Sequence, residues 1–268
     1  MTRSRRWRLR STLLPLAVLM SLVLPALSPA GAHARADGRI IGGTPVDIAD
    51  HPWVVALVDT TTKRAFCAGA LVAPAKVVTA GHCLLNRDRR RLRVVAGRTD
   101  LFAKDTGTIA RVAGAAVHPG LHTPMPYVND VAVLTLDGAL PYGTVPWVSP
   151  REDETYEPGT TGWVFGWGRT EESGTASPRQ LRTVSVPLWD GDACEAAYPD
   201  RIDQSAMVCA GTGGSDSCQG DSGGPLVVDG RLVGLVSWGT GCGRPDLPGV
   251  YTRLDRYATW IDRAVRAA

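Results

Sequence analysis

Cysteine is sparse in this chain, six in 268 residues. That is too few for a small scaffold held together by disulfides, yet the number is even and allows three structural bridges. Charge is not in excess either. Charged residues make up 21% and apolar ones 44%, which excludes a chain kept disordered by self-repulsion. The formal charge of +3 comes from the first 39 residues, which hold seven arginines (Arg3, Arg5, Arg6, Arg8, Arg10, Arg35, Arg39) and one acid, Asp37. The remainder has 22 basic against 25 acidic residues, a formal charge of −3. Bulk positive charge is therefore not available to hold a nucleic acid, and none is expected as a partner. No apolar run after Leu27 is long enough to span a bilayer. Internal repeats, low-complexity tracts and βαβ alternation are also missing, which argues against a doubly wound sheet. The length permits one large domain or two small ones, either with a real core.

What is present begins with a leader. Arg3 to Arg10 form a basic region, Leu13 to Leu27 an apolar run broken by Pro15 and Pro25, and Ala30-Gly31-Ala32 a small-residue cleavage site. These three parts make a secretory signal peptide over residues 1–32. The run is shorter than the roughly 20 residues a spanning helix needs, so no membrane association is expected. Export places the protein in a secreted, extracellular setting where disulfides persist. Residues 33–39 form a short segment ending Gly38-Arg39, followed by Ile40-Ile41-Gly42-Gly43. A single basic residue before an apolar-Gly-Gly start reads as a processing site.

The body, residues 40–268, reads as many short strands. The runs 54–58, 70–72, 77–80, 93–96, 131–136, 226–228 and 232–236 are apolar or β-branched and are punctuated by Gly, Pro, Asp and Asn. Asp229-Gly230 reads as a two-residue hairpin turn. Gly 30 and Pro 19 fit a turn-rich fold. Antiparallel barrels or sandwiches are expected. One helix is predicted at the C-terminus, where Leu254, Tyr257, Ile261 and Val265 form one apolar stripe. Asp255 is its expected cap, and Asp262 with Arg266 an i,i+4 pair. The Pro- and acid-rich stretch 145–160 reads as a connector between halves.

Three motifs could carry chemistry. In Gly220-Asp221-Ser222-Gly223-Gly224-Pro225, glycines let the backbone come close to a substrate and present N–H groups to an oxyanion beside a serine nucleophile. A solvated serine in a Gly-rich turn would look the same, and so would the nucleophile elbow of α/β-hydrolases. The elbow needs a histidine after its serine, and none follows His122. Among the five histidines, His33 lies in the segment removed, His51 and His118 precede prolines, and His122 lies in a Pro-rich loop. His82, in Thr79-Ala80-Gly81-His82-Cys83, ends a strand beside a cysteine that could clamp it, as a general base requires. Asp130, in Asn129-Asp130-Val131-Ala132-Val133-Leu134, heads an apolar strand. A carboxylate buried there costs several kcal/mol unless it is paired, and an imidazole base needs such a partner to fix its tautomer.

The order His82, Asp130, Ser222, with the flanks TAGHC, NDVAVL and GDSGGP, resembles the chymotrypsin–trypsin family of serine proteases. The likeness runs from Ile40 to the C-terminal helix. It implies two antiparallel six-stranded Greek-key β-barrels closed by that helix, with His82 and Asp130 supplied by the first half and Ser222 by the second. It implies that Ser222 is the nucleophile, His82 the base, Asp130 its orienting carboxylate, and the amides of Gly220 and Ser222 the oxyanion hole. Ser237-Trp238-Gly239 would pair with substrate backbone. Asp216, six residues before Ser222, would sit at the base of the primary pocket and select Arg or Lys, with Gly239 and Gly249 as its walls and Ser217, Gln219 and Tyr251 as lining. Asp221 would pair with the ammonium freed at Ile40 when the bond after Arg39 is cut.

The same resemblance implies the disulfides Cys67–Cys83, Cys194–Cys209 and Cys218–Cys242; spacing alone allows 15 connectivities. The bridges found in vertebrate members beyond these are missing, so the likeness is to secreted bacterial trypsins. No C-x-x-C or tight Cys/His cluster is visible, so neither metal nor cofactor is expected. The stretch 97–108, where some members bind calcium through paired glutamates, has Asp100 and Asp105 but no Glu, which argues against calcium there. The basic run Arg87 to Arg93 reads as a solvated loop leading into a strand, with an anion exosite or an autolysis site as the functional alternatives. The expected protein is thus a monomeric secreted endopeptidase made as a precursor, with protein and peptide substrates and protein protease inhibitors as partners. The contrasting expectation is an inactive binding protein on the same fold.

Overall fold

The computed structural model describes residues 40–173 and 179–267. The leader, Arg39 and the segment before it lie outside the described residues. In chain order the strands are β1 (Thr44–Pro45), β2 (Val54–Asp59), β3 (Ala65–Ala73), β4 (Lys76–Thr79), β5 (Leu92–Ala96), β6 (Thr108–Val117) and β7 (Ala132–Leu136), then β8 (Thr161–Gly166), β9 (Arg182–Pro187), β10 (Met207–Ala210), β11 (Pro225–Val228), β12 (Arg231–Trp238) and β13 (Gly249–Arg253). Two α-helices are described, α1 (Gly191–Ala197) and α2 (Ala258–Arg266).

The strands form two barrel-like sheets. The first is a closed barrel in the order β2-β3-β4-β7-β6-β5. The second has the order β1-β9-β8-β11-β12-β13-β10. Its six main strands curl until β9 and β10 nearly meet, where a Leu188–Ala210 bridge and the Trp189 N–H to Cys209 carbonyl bond join their ends. All strand pairings are antiparallel. This is the two-barrel, all-β architecture with a C-terminal helix.

The physical basis is burial on one face of each curled sheet. Val55, Leu57, Leu71, Val77, Leu92, Val94 and Leu134 fill the first barrel, and Leu226, Leu232, Leu235 and Val250 help fill the second. Each such side chain contributes about 1.5–3 kcal/mol when fully buried. A third cluster, Ile48, Val54, Ala56, Phe165, Trp167, Leu181 and Val227, combines residues of both sheets and glues the barrels together. Asp229 and Gly230 have φ of 48° and 72°, and Val228 lies opposite Arg231. Both turn residues are left-handed, as a tight hairpin matched to strand twist requires. The connector 145–160 runs against both barrels: Val145 N–H donates to the Leu71 carbonyl and Val148 N–H to the Leu232 carbonyl.

The C-terminal helix departs from its expected start. Leu254–Arg256 form a 3-10 turn, and Tyr257 is the N-cap of α2 without a side-chain cap bond. Asp255 is not a cap. It accepts from Arg253 Nε at 2.9 Å and from Arg256 N–H at 2.9 Å, so its carboxylate serves a partly buried guanidinium instead. The Asp262–Arg266 pair is not among the ion pairs of the described residues. Exposed helix pairs are worth only a few tenths of a kcal/mol, so spacing alone does not enforce one. Helix α1 was not expected. Asp190 caps it, accepting from the N–H groups of Asp192 and Ala193 at 3.0 and 3.2 Å.

Candidate active site

Strand β4 ends at Thr79, and the 3-10 turn Gly81–Leu84 that follows carries His82. A disulfide from Cys83 to Cys67 ties this turn to β3. Asp130 stands just before β7 and is fully buried. Its carboxylate is satisfied by three donors. Oδ1 accepts the backbone N–H of His82 at 2.7 Å, and Oδ2 lies 2.7 Å from His82 Nδ1 and accepts the Ser237 hydroxyl at 2.5 Å. The two bonds to His82 fix both the main chain and the ring. They make Nδ1 the protonated nitrogen and leave Nε2 with a free lone pair. Thr252 adds a bond from its hydroxyl to the Asp130 carbonyl at 2.8 Å. No local motif marks Ser237 and Thr252 as partners of Asp130, because the contacts span 107 and 122 positions.

Ser222 lies in the turn that enters β11. Its carbonyl accepts Ala68 N–H at 2.8 Å and lies 3.7 Å from Cys83 Sγ; that sulfur is in turn 3.9 Å from His82 Nε2. The fold thus brings the serine segment of the second half against the His82 turn of the first. Among the described residues the Ser222 hydroxyl makes no hydrogen bond, and neither do the amides of Gly220 and Ser222. Gly223 explains how close the halves come. Its φ is +73°, and a Cβ there would meet Thr79 Oγ1 at 2.2 Å and the Ala68 carbonyl at 2.7 Å. Only glycine permits both that backbone and that contact.

Asp216 is buried behind this segment, 3% exposed. Its Oδ2 accepts Gly243 N–H at 2.8 Å, while Oδ1 has no hydrogen-bond partner. Burial pushes its carboxyl up to about 7, against the pull of neighbouring backbone N–H groups. A Cβ on Gly249 would sit 2.6 Å from that free oxygen, so only glycine leaves the approach to it open. Tyr251 donates to the Ser217 hydroxyl at 3.2 Å, Gly239 is exposed just past the end of β12, and Gln219 is exposed in the turn before Asp221. Trp238 packs edge-on to Tyr198, with ring centroids 4.8 Å apart. The bridge Cys218–Cys242 crosses this region, and Cys194–Cys209 joins α1 to β10.

Asp221 is wholly buried. It accepts from Gly168 N–H at 2.7 Å and Cys218 N–H at 3.0 Å, and among the described residues no cation faces it. Burial pushes it up to about 7, with the nearby Asp216 charge adding to the effect. Ile40 is also fully buried. Its neighbour Ile41 bridges Asp216, whose N–H donates to the Ile41 carbonyl at 3.2 Å. The start of the body is thereby tied to the loop that carries the buried acid.

His33 lies outside the described residues, and His122 packs on Tyr127, whose ring lies edge-on to His82 at 6.0 Å between centroids. His51 packs on Phe165 at 4.4 Å between ring centroids, and His118 lies between Tyr257 and Trp260 at 5.4 and 5.2 Å. One expectation needs correcting. The fold does gather a Cys/His cluster, with ligand atoms of Cys67, His82 and Cys83 within 4.8 Å of one another. The two sulfurs are bonded to each other, so neither is a thiolate that could hold zinc. Asp100 is occupied by the Phe102 N–H at 2.8 Å and by Arg179 at 2.9 Å. No described helix is long and apolar enough to cross a membrane.

Known proteins give the same picture from outside. The protein-family model described as Trypsin matches residues 40–261. The chain is 42% identical to a trypsin of Saccharopolyspora erythraea over 220 residues, covering 81% of this chain and 94% of that protein. It is 38% identical to trypsin zeta of Drosophila melanogaster over 268 residues, 92% of this chain and 95% of the relative. Hypodermin-B of Hypoderma lineatum is 38% identical over 90% of this chain and 93% of its own length.

Proposed function

The chain belongs to the trypsin family and is a trypsin-like serine endopeptidase acting on protein and peptide substrates, and from that premise we propose that it cuts after Arg or Lys through Ser222, His82 and Asp130. Mature activity follows export and removal of residues 1–32 and 33–39, which leaves residues 40–268 as a monomeric, extracellular peptidase domain open to protein inhibitors.

The roles are those of the family's triad, carried over position by position. Ser222 Oγ attacks the scissile carbonyl carbon as His82 Nε2 takes the hydroxyl proton. The carbonyl oxygen becomes an oxyanion, held by the unengaged amides of Gly220 and Ser222. The intermediate collapses, the C–N bond breaks, and His82 returns its proton to the leaving amine. Water then attacks the acyl-serine ester with His82 again as base, releasing the carboxylate product and the serine hydroxyl. Asp130 holds the tautomer throughout and stabilises the imidazolium. Ser237, Trp238 and Gly239 supply the edge against which substrate backbone pairs.

The single observation that carries the specificity is the buried, unpartnered Oδ1 of Asp216. A buried carboxylate oxygen without a donor costs free energy, and a guanidinium or ammonium entering past Gly249 would supply the missing bonds. The test is turnover of three matched peptide amides ending in Arg, Lys or Phe, by the processed chain and by Ser222→Ala. Arg and Lys turnover that disappears in Ser222→Ala is expected, with stoichiometric labelling of Ser222 by an organophosphate. Preference for Phe would overturn the pocket assignment. No turnover and no labelling would favour an inactive binding protein.

Activation follows from Asp221. Cleavage after Arg39 frees an ammonium at Ile40, and pairing with Asp221 would order the serine turn and the Asp216 loop together. A pH signature is expected. A buried acid raised to about 7 holds its proton more tightly in the folded than in the unfolded chain. Its stabilising share is therefore complete below about 4 and is lost as pH rises through about 7. Denaturant unfolding of the uncleaved chain should weaken by several kcal/mol across that window. The processed chain, in a Ser222→Ala background, should lose less, because its ammonium keeps Asp221 ionised. Identical pH curves for the two forms would count against the pairing.

A further inference from the structure

We propose that the cationic face around Arg89–Arg91 is a docking surface for an acidic stretch of a protein substrate, on the leaving-group side of the scissile bond. The inference rests on the cleavage reading above and adds a second recognition site to it.

The charge is concentrated. Residues 59–111 hold eleven basic and four acidic residues, while the rest of 40–268 holds eleven basic and twenty-one acidic. The fold gathers much of this charge around one turn. Arg89–Arg91 form an exposed 3-10 turn leading into β5. Thr60 N–H donates to the Arg91 carbonyl at 2.8 Å, which brings the β2–β3 turn, with Lys63 and Arg64, alongside. In β6, Arg111 stands directly opposite Arg93. Like charges facing across a strand pair destabilise it. Arg93 nevertheless stays there, its guanidinium held against the turn by the Arg90 and Leu92 carbonyls at 2.9 and 2.7 Å. Asp88 pairs with Arg90 at 3.0 Å and Asp59 reaches Arg87 at 3.9 Å. Among the described residues Lys63, Arg64, Arg89, Arg91, Arg93 and Arg111 have no ion-pair partner. A molecule whose body is net negative thus keeps one ordered patch of unneutralised cations.

The position of the patch indicates the occupant. Arg87 lies 3.7 Å over the Phe66 ring. Phe66 adjoins Cys67, whose disulfide reaches Cys83 beside His82, and Ala68 bonds the Ser222 carbonyl. The pocket of Asp216 and the edge at Ser237–Gly239 belong to the second sheet, on the acyl side of the cut. A substrate continuing past the scissile bond therefore meets β3 and then the arginine turn. Acidic residues there would be drawn in by charge, with an effect on encounter and KM that salt weakens.

The experiment uses the processed full chain and two peptides with the same Arg-containing acyl half. Beyond the cut, one carries Asp and Glu and the other Asn and Gln at the same positions. An arginyl anilide reports the basal reaction. The acidic peptide should have about tenfold higher kcat/KM at low salt, mostly through KM, and the gap should close at about 0.5 M salt. It should close in an Arg89→Gln, Arg90→Gln, Arg91→Gln variant, reopen when the three are Lys, and leave anilide turnover unchanged. If the triple variant misfolds, Arg111→Glu on the strand surface gives the same readout. Equal kcat/KM for the two peptides, or a preference that survives in the variants, would overturn the proposal while leaving the catalytic reading intact. So would tight binding of a sulfated polysaccharide without any peptide preference. Failure on the anilide would instead remove the cleavage reading on which both rest.

Discussion

Asp130→Asn should lower kcat about 10⁴-fold, the size of effect the family's triad shows when its carboxylate becomes an amide, and should leave the protein folded. The geometry says why the loss is so large. Oδ1 accepts the His82 backbone N–H at 2.7 Å, and an NH₂ group could not replace it there without two donors facing each other. The amide oxygen of Asn therefore takes the Oδ1 place and its NH₂ takes the Oδ2 place. The Ser237 hydroxyl can turn and accept from that NH₂, so the site stays satisfied and the chain still folds. The same NH₂ then donates to His82 Nδ1, which drives the ring proton to Nε2. The base has lost its lone pair on the side that must take the serine proton. Steady-state kinetics on an arginyl amide, with circular dichroism as the folding control, measure this. Ser237→Ala removes one of three donors to the carboxylate and keeps the tautomer, so its loss should be far smaller. An Asp130→Asn enzyme within tenfold of the parent would sink the assigned role of Asp130.

Much of the barrel architecture was legible because its central strands are long apolar runs. Residues 54–58, 93–96, 132–136 and 226–228 form strands close to the predicted bounds, and Asp229-Gly230 could only be a left-handed turn. Strands β6, β8, β9, β10 and β13 were not predicted. Strand β6 is largely small or charged, with only Ala110 and Val112 buried, because its outer face is solvated. Strand β8 contains two glycines and an exposed Trp163. The others are only four to six residues long and gain their stability from neighbours far away in sequence. Helix α1 has seven residues and buries only Cys194, too short for an apolar stripe. Its one readable signal was Asp190 before Gly191-Asp192-Ala193.

The site was legible in a different way. The residues proposed to react announce themselves through their flanks, since glycines around Ser222 and Cys83 beside His82 are local features. The residues that hold them do not. Ser237 and Thr252 reach Asp130 across more than a hundred positions, and Gly243 N–H caps Asp216 from the far end of a disulfide-crossed loop. A hydroxyl at a strand end carries no sign of its partner until the sheet is closed.

Asp216→Ser separates specificity from stability, and the two should move in opposite directions. In the parent, Oδ1 waits buried and unpaired. With an Arg substrate bound, that oxygen and the guanidinium satisfy each other in a site closed to water. Removing the carboxylate leaves the substrate's cation buried without a partner, which costs about 3–5 kcal/mol. At 1.36 kcal/mol per decade, kcat/KM on Arg and Lys substrates should fall about 10²–10⁴-fold, while turnover of substrates with uncharged side chains holds or rises. The free protein should gain instead. It loses a buried acceptor that lacked a donor, worth about 1–3 kcal/mol. The gain should also depend on pH. The Asp216 carboxyl is raised to about 7 by burial, so its contribution to stability is complete below about 4 and lost as pH rises through about 7. Asp216→Ser removes that decline, and its advantage in denaturant should be smallest at pH 4 and largest above pH 7. The same titration should govern binding of a small amidinium inhibitor to the parent. Affinity weakens up to tenfold per unit as pH falls below about 7, with a proton released on binding that calorimetry in buffers of different ionisation enthalpy would register. Full preference for Arg in Asp216→Ser, or amidinium binding indifferent to pH between 5 and 8, would move the pocket's acid elsewhere.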